Sequence, residues 1–348
     1  MQNLFYSFVF SLLAVAFVSC NKDELSSKRD SSADKIGCVF YLKGISDGIV
    51  TKAVGMESGE GGIEDEKAVK SLQIYVFRAD SSLAASRNVM NSKSLKLDVN
   101  VGSGYSVYAV CNEENWTSSI KRISDLEEKE TVLLSTDEGA SSFAMQGKIE
   151  DQTISSENRE FSIEVVRRAA KVVVRKITNN LPEGDIIIEG IYISNVITNS
   201  CMFSDSLPDA PVWVNQLGVF DGLSALNWFG DKFETPVSVA NGQAYETAHT
   251  FYAAANPTAT DEHSIDKFSS RYTRIVIRAD IGGTIYYYPI SFKNEIPELT
   301  ANDYIDIKNI NIKHLGSDNP ETPVTIGQDV TVSVEVKDWN RVEHTIEF

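Results

Sequence analysis

The stretch SLQIYVF at residues 71–77 indicates the fold class, because Leu72, Ile74 and Val76 alternate with the residues between them. Alternation with a period of two places every second side chain on one face of a β-strand. Similar segments, rich in β-branched and aromatic residues, follow at 94–101, 105–110, 161–166, 171–177, 186–193, 274–279, 284–290, 304–312 and 330–336. Most connections between them are too short for the crossover helices of a parallel sheet. The sequence therefore predicts an all-β protein built from antiparallel sandwiches.

Two local departures from this alternation have structural meaning. In YIDIKNINI, at residues 304–312, the apolar phase shifts between Ile307 and Ile310, which predicts a β-bulge. The segment Ile120–Lys129 lacks strand alternation and predicts a short helix, as the exception in an all-β chain.

A domain boundary is expected where turn-forming residues cluster. The stretch NNLPEG at 179–184 brings Asn, Pro and Gly together between two strong strand segments. A chain of 348 residues also has room for about two domains of ordinary size. We therefore predict an N-terminal domain over 36–181 and a C-terminal domain over 182–348.

The first residues of the chain indicate export. The apolar run Leu4–Val18 is followed by Ser19, Cys20 and the polar string NKDE. A short apolar run before small residues is typical of a secretion signal, and it is shorter than the roughly 20 residues of a membrane-spanning helix. A cysteine at this place can carry lipid. The sequence thus predicts a lipoprotein signal peptide over 1–19, an acylated Cys20 and a disordered tether over 20–35; a buried N-terminal helix is the alternative.

Charge and motif content exclude several classes of function. The formal net charge of −17 disfavours nucleic acid as a partner. The four histidines are spread out, with none at metal-ligand spacing, and neither a nucleophile elbow nor a phosphate-binding loop occurs. We therefore predict no enzyme, with no catalytic residue, no metal and no cofactor.

Three further groups of residues each allow a structural and a functional interpretation. The acidic run Glu64–Glu66 is expected to be a solvated loop rather than a calcium site. Cys38 and Cys111 lie in apolar strand segments, so buried thiols are favoured, and a disulfide between them is the alternative. Packing is favoured over a sugar-binding platform for three tryptophans, Trp116, Trp213 and Trp228.

Several short motifs occur in a characteristic order. The N-terminal half contains VKSLQIYVF at 69–77, GYSVYAVCN at 104–112, FAMQG at 143–147 and VRRAAKV at 166–172. The C-terminal half contains FY at 251–252 before Asn256, YYYPI at 286–290 and VKDWN at 336–340. Together they resemble the fimbrillins of Bacteroidetes, the lipoprotein-derived subunits of type V pili. The resemblance implies two tandem transthyretin-like antiparallel β-sandwich domains.

The resemblance also implies a route of assembly. A lipoprotein precursor reaches the outer membrane, a trypsin-like protease removes its N-terminal strand, and a C-terminal strand of the next subunit fills the gap. Here the removable strand would be 36–52, with the cut between Lys52 and Ala53; the family typically carries Thr-Arg-Ala, where this chain has Thr-Lys-Ala. Arg29 is an alternative cut that would not remove the strand. Lys52 could also be a solvated turn residue.

The donor strand would be residues 330–348. One face carries Val330, Val332, Val334 and Val336, and beyond an interruption that contains Trp339 the same parity continues with Val342, Ile346 and Phe348. Seven apolar side chains at about 1.5–3 kcal/mol each would contribute roughly 10–20 kcal/mol of gross burial, before ordering costs. The alternative is an ordinary edge strand of the C-terminal domain.

The function implied by the resemblance is structural. The chain would be a subunit of a cell-surface fimbrium, assembled by protease-triggered strand exchange and supporting adhesion. Its partners would be other fimbrial subunits, the outer membrane through the lipid of the precursor, and a host protein or glycan. Three alternatives remain: an uncleaved, lipid-anchored pilus anchor subunit, a surface glycan-binding lipoprotein, and a secreted hydrolase with paired carboxylates in a cleft.

Overall fold

Strands make up almost all regular structure in the computed structural model, which describes residues 35–43, 66, 68–133, 143–216, 220, 230–261, 270–293, 298–322, 324 and 329–338. The first strands are β1 (Lys35–Lys43), β2 (Ser71–Phe77), β3 (Leu83–Met90), β4 (Ser94–Asn100), β5 (Gly102–Cys111), β6 (Glu130–Val132), β7 (Met145–Ile154), β8 (Glu160–Glu164) and β9 (Val166–Arg167). A five-residue helix, α1 (Ile123–Glu127), lies within the segment predicted as helical. The all-β prediction is confirmed.

The remaining strands follow without a helix among the described residues. They are β10 (Ala169–Val174), β11 (Ile177–Asn179), β12 (Ile186–Ser194), β13 (Val196–Ile197), β14 (Asn199–Cys201), β15 (Trp213–Val214), β16 (Gly230–Val239), β17 (Ala244–Tyr245), β18 (His249–Ala254), β19 (Arg274–Ile281), β20 (Thr284–Ser291), β21 (Asp303–Ile312) and β22 (Val330–Asp338).

The first sandwich is formed by two sheets. A three-stranded sheet in the order β4-β1-β8, which we call the groove sheet, packs against a five-stranded sheet in the order β3-β2-β5-β7-β9. Side chains from both sheets share one buried core, to which Phe40 and Ile163 contribute from the groove sheet and Ile74 and Val107 from the other. This core depends directly on β1, because β1 is the central strand of its sheet.

The second sandwich is also built from two sheets. One has the order β16-β12-β19-β20, and the other contains β17, β11, β21, β10 and β18, with β22 added along β21. Their common core is larger and includes Ile188, Ile277, Phe251 and Ile307.

The chain passes from the first sandwich to the second earlier than the predicted boundary after Leu181. β9 belongs to the first sandwich, whereas β10 and β11 pair with strands of the second. The cluster at 179–184 forms the turn between β11 and β12, in which the Asn179 amide donates to the carbonyls of Gly184 and Val239 at 3.0 and 2.9 Å. Gly184 has a φ of +89°, which a glycine adopts without strain.

Strand pairing is mainly antiparallel, as predicted, with informative exceptions. Among the described strands, β1 with β8, β10 with β21 and β11 with β21 are parallel. Each of these pairs joins segments far apart in the sequence. The predicted bulge is confirmed, because the register between β21 and β22 shifts between Ile307 and Asn309.

Candidate functional site

β1 is the first described strand of the chain, yet it lies in the middle of the groove sheet. It pairs antiparallel with β4 and parallel with β8. The Val39 amide also donates to the Arg159 carbonyl at 2.8 Å, and the Leu42 amide donates to the Lys93 carbonyl at 2.9 Å. Loss of β1 would leave two strands without their partner at once, and open strand edges readily pair with another chain.

The inward face of β1 fills a large part of the first core. Cys38 and Phe40 are completely buried, and Ile36 and Leu42 are partly buried against the same cluster. The Phe40 ring stacks on Phe161 of β8, with ring centroids 5.4 Å apart and an interplanar angle of 20°. Burial of these four side chains contributes roughly 5–10 kcal/mol before ordering costs. A groove vacated by β1 would therefore be strongly apolar.

We expect Phe40→Ala to lower the free energy of unfolding of the uncut chain by about 3–5 kcal/mol, because the surrounding core cannot close the cavity. Tyr41→Ala is the matched control, since Tyr41 is 40% exposed and lies on the outer face of the same strand. The control should change the free energy of unfolding by no more than about 1 kcal/mol. Urea denaturation measures both. Equal effects of the two variants would contradict a core role for β1.

The two cysteines of the first core are free thiols. Cys38 lies on β1 and Cys111 on β5, and both are buried. Burial raises the pKa of Cys111 to about 12. Burial, and then the nearby charge of Asp98, raise the pKa of Cys38. Thiols that are buried and protonated react slowly with electrophiles. The prediction of buried thiols agrees with the structure, and the disulfide alternative does not.

Cys111 consequently reports on whether the groove is filled. In the uncut chain we expect maleimide to label Cys201, which is half-buried, and to leave Cys111 unlabelled. Removal of β1 should raise the labelling rate of Cys111 by at least about tenfold, because solvent then reaches the core. Peptide mass spectrometry measures labelling at each cysteine. An unchanged rate at Cys111 after β1 has left would show that β1 does not cover this core.

The last described strand, β22, lies at an edge of the second sandwich. It pairs antiparallel with β21, and no other described strand pairs with it. Val330 is fully buried, and Val332 and Val334 pack partly buried against the core, whereas Ser333 and Glu335 are exposed. The predicted parity is thus observed for these three valines. The chain's own β22 occupies this edge, as the edge-strand alternative predicts.

Several predicted site residues lie outside the described residues. These are Cys20, Lys52, Ala53, Trp339, Val342, Ile346 and Phe348. The backbone of Val336 pairs with Ile305 in β22.

Glu66 corrects the expectation that the acidic run is a solvated loop. It is only 2% exposed. Its carboxylate accepts hydrogen bonds from the Lys171 ammonium at 2.8 Å and the Tyr252 hydroxyl at 2.7 Å, and its carbonyl accepts one from Arg167 Nε at 3.0 Å. Burial, and then the charge of Glu66, raise the pKa of the Tyr252 hydroxyl. We call this group of Glu66, Arg167, Lys171 and Tyr252 the Glu66 clamp.

Sequence reasoning missed the Glu66 clamp, although one signal was present. Lys171 interrupts the apolar segment AAKVVV of β10, and a charged residue in such a segment needs a buried partner. Glu66 lies 105 positions away in the chain, so periodicity could not identify it as that partner.

Two motif residues fix the surroundings of the groove sheet. Gly147 on β7 faces the Glu164 carbonyl at the end of β8, and a Cβ atom at this position would collide with that backbone. Asn112 has a φ of +62°, a conformation that asparagine tolerates. Its side-chain amide donates to the carbonyls of Ala68 and Phe143 at 2.8 and 2.9 Å. Asn112 thereby ties the approach to β2 to the end of β5.

The three tryptophans differ in their surroundings. Trp116 is buried, with its indole donating to Glu114 Oε1 at 3.0 Å, so packing is confirmed there. Trp213 is half-buried in β15, and Trp228 lies outside the described residues. Within the described ranges no group of three or more His, Cys, Asp or Glu residues could hold a metal ion. No helix in those ranges is long and apolar enough to cross a membrane.

Two β-sandwiches, with the first described strand inside a sheet and the last described strand at a sheet edge, define the class of this all-β protein. Residues 45–182 match the family described as major fimbrial subunit protein (FimA). The predicted resemblance to fimbrillins is therefore confirmed over this part of the chain. The matched region contains β4 and β8 but neither β1 nor β22. No curated protein sequence matches the chain.

Solved structures share the fold at low sequence identity. A fimbrilin (FimA) from Porphyromonas gingivalis has a TM-score of 0.56 at 15% identity, over 89% of this chain and 98% of that chain. A candidate cell adhesion protein from Parabacteroides distasonis has a TM-score of 0.61 at 15% identity, over 90% and 99%. The tip fimbrial protein Mfa3 from P. gingivalis, with C-terminal truncation, has a TM-score of 0.51 at 14% identity, over 80% and 97%.

Proposed function

We propose that this chain is an exported lipoprotein precursor that becomes a fimbrial subunit when a protease removes its first strand at Lys52. Its partners are further subunits of the same fimbrium, and the lipid on Cys20 holds the precursor at the outer membrane. Residues 330–348 leave their own edge and enter the groove between β4 and β8 of a neighbour. The finished fimbrium supports adhesion of the cell.

The observation that carries this proposal is the unequal position of β1 and β22, the first and last strands among the described residues. β1 has a strand on both sides and buries Cys38 and Phe40, so its loss opens a deep groove. β22 has one partner strand among the described residues, so it can leave by breaking a single ladder. An incoming strand in the groove gains two ladders and an apolar floor, as in other complexes that add a strand to a sheet.

The apolar patterns of the two strands also support the exchange. β1 places Ile36, Cys38, Phe40 and Leu42 toward the core, and β22 does the same with alternate valines. Both therefore present apolar side chains at every second position, which is what a groove between two strands requires.

N-terminal sequencing of the protein from assembled surface fibres tests the proposal. We expect the mature chain to begin at Ala53. A chain that begins with a blocked Cys20 in the fibres would contradict it, and would favour the uncleaved anchor subunit. A glycan-binding lipoprotein would instead show measurable sugar affinity, and buried Trp116 would not contribute to its binding surface.

A further inference from the structure

The Glu66 clamp holds Glu66, which precedes β2 in the chain, against the second sandwich. Lys171 lies on β10 and Tyr252 on β18, and these two strands pair directly. Glu66, Lys171, Tyr252 and Arg167 are all at most 5% exposed. The carboxylate is held by the Lys171 ammonium and the Tyr252 hydroxyl, and removal of one partner would leave a buried charge without compensation.

From Ala68 to the start of β2 the backbone is held by further hydrogen bonds. The Ala68 carbonyl accepts from Asn112, and the amides of Lys70 and Ser71 donate to Asn112 Oδ1 at 2.8 and 3.4 Å. The Lys70 carbonyl accepts from the Asn91 amide at 2.8 Å. The backbone groups on both sides of the bond between Lys70 and Ser71 are thus already hydrogen-bonded within the protein.

The positions of the basic residues limit where a trypsin-like protease could cut near the Glu66 clamp. A trypsin-like protease cuts after Lys or Arg, and it acts on exposed segments that can detach from the rest of the protein. Lys67 and Lys70 follow Glu66 closely, while Lys52 is the only basic residue in 44–65. Upstream, the Lys43 carbonyl accepts from the Val165 amide at 3.1 Å at the end of β1.

We propose that the Glu66 clamp sets the downstream limit of proteolytic maturation, so that a trypsin-like protease cuts after Lys52 and not after Lys67 or Lys70. The step is a hydrolysis: one water is consumed, Lys52 acquires a carboxylate and Ala53 a new amine. Glu66 acts here as a positioning residue. This inference rests on the proposed function, because it assigns a limit to the same maturation cut.

Limited digestion of the full chain with trypsin, followed by N-terminal sequencing, tests the inference. In the wild-type chain we expect Ala53 to be the only new N-terminus between residues 36 and 78. Glu66→Gln and Lys171→Met each remove one charge of the clamp. In both variants, products that begin at Ala68 or Ser71 should form at least about tenfold faster, because local release of the chain from the Glu66 clamp no longer breaks a buried ion pair. Exposed Glu128→Gln is the control and should digest like the wild type.

Three results would overturn the inference. The first is wild-type cleavage after Lys67 or Lys70, and the second is an unchanged product pattern in both clamp variants. The third is cleavage of the variants that spreads at once to Arg78 and Arg87 in the β2–β3 hairpin, which would mean that the clamp acts only through global stability. The digestion measures only where the chain is cut and does not depend on polymerisation. A product that starts at Ala53 but stays monomeric would count against strand exchange and not against the clamp.

Discussion

Deletion of residues 330–348 is expected to abolish fibre formation and to leave a folded monomer. In the proposed mechanism these residues supply the strand that fills a neighbour's groove, so no other part of the chain can replace them. The fold should survive, because β22 is an edge strand of the second sandwich. Loss of buried Val330 and partly buried Val332 and Val334 would lower the free energy of unfolding by roughly 3–6 kcal/mol.

Point variants in β22 separate its role in assembly from its role in folding. The double variant Val332→Thr/Val334→Thr keeps the shape of both side chains but places hydroxyls on the inward face. We expect fibre yield to fall by at least about tenfold, because polar groups would enter an apolar groove. The outward pair Ser333→Ala/Glu335→Gln is the matched control, and it weakens a surface ion pair of Glu335 with Lys308. Electron microscopy and sedimentation measure the yield; normal fibres from the truncated chain would refute the donor role.

Lys52→Gln is expected to stop maturation. The precursor should accumulate with β1 in place, and no fibres should form. β1 is covalently attached to its own groove, so its effective concentration there far exceeds that of a neighbour's strand. It also holds two ladders and buries Cys38 and Phe40, so it will not leave spontaneously.

Two control variants make the effect of Lys52→Gln specific. Lys52→Arg restores a cleavable basic residue and should assemble normally. Arg29→Gln removes the alternative cut in the tether, which would not release β1, and it should also assemble normally. Immunoblotting of surface fractions distinguishes precursor from mature chain. If Lys52→Gln cells display fibres at wild-type levels, maturation at Lys52 is not required for assembly.

Strand character was predictable from local pattern alone. The phase shift between Ile307 and Ile310 predicted the bulge, because one extra residue must reverse the faces of everything that follows it. The parity of Val330, Val332 and Val334 was predictable for the same reason, since a strand has a side-chain period of two.

Long-range arrangement was not accessible from the pattern. The cluster at 179–184 has the composition of both a domain linker and a tight turn, and it is a turn within the second sandwich. The burial of Glu66 depends on Lys171 and Tyr252, which are 105 and 186 positions away. Alternation reports which face a side chain occupies and not which strand lies beside it.

Cross-linking inside assembled fibres can establish whether a neighbour's C-terminal strand replaces β1. Photo-leucine would be placed at position 334, and ¹⁵N-labelled and unlabelled subunits would be mixed before assembly, so that mass spectrometry separates links between chains from links within one chain. We expect mixed-isotope links from position 334 to β4 and β8 of the neighbour. Links confined to β21 of the same chain would contradict it.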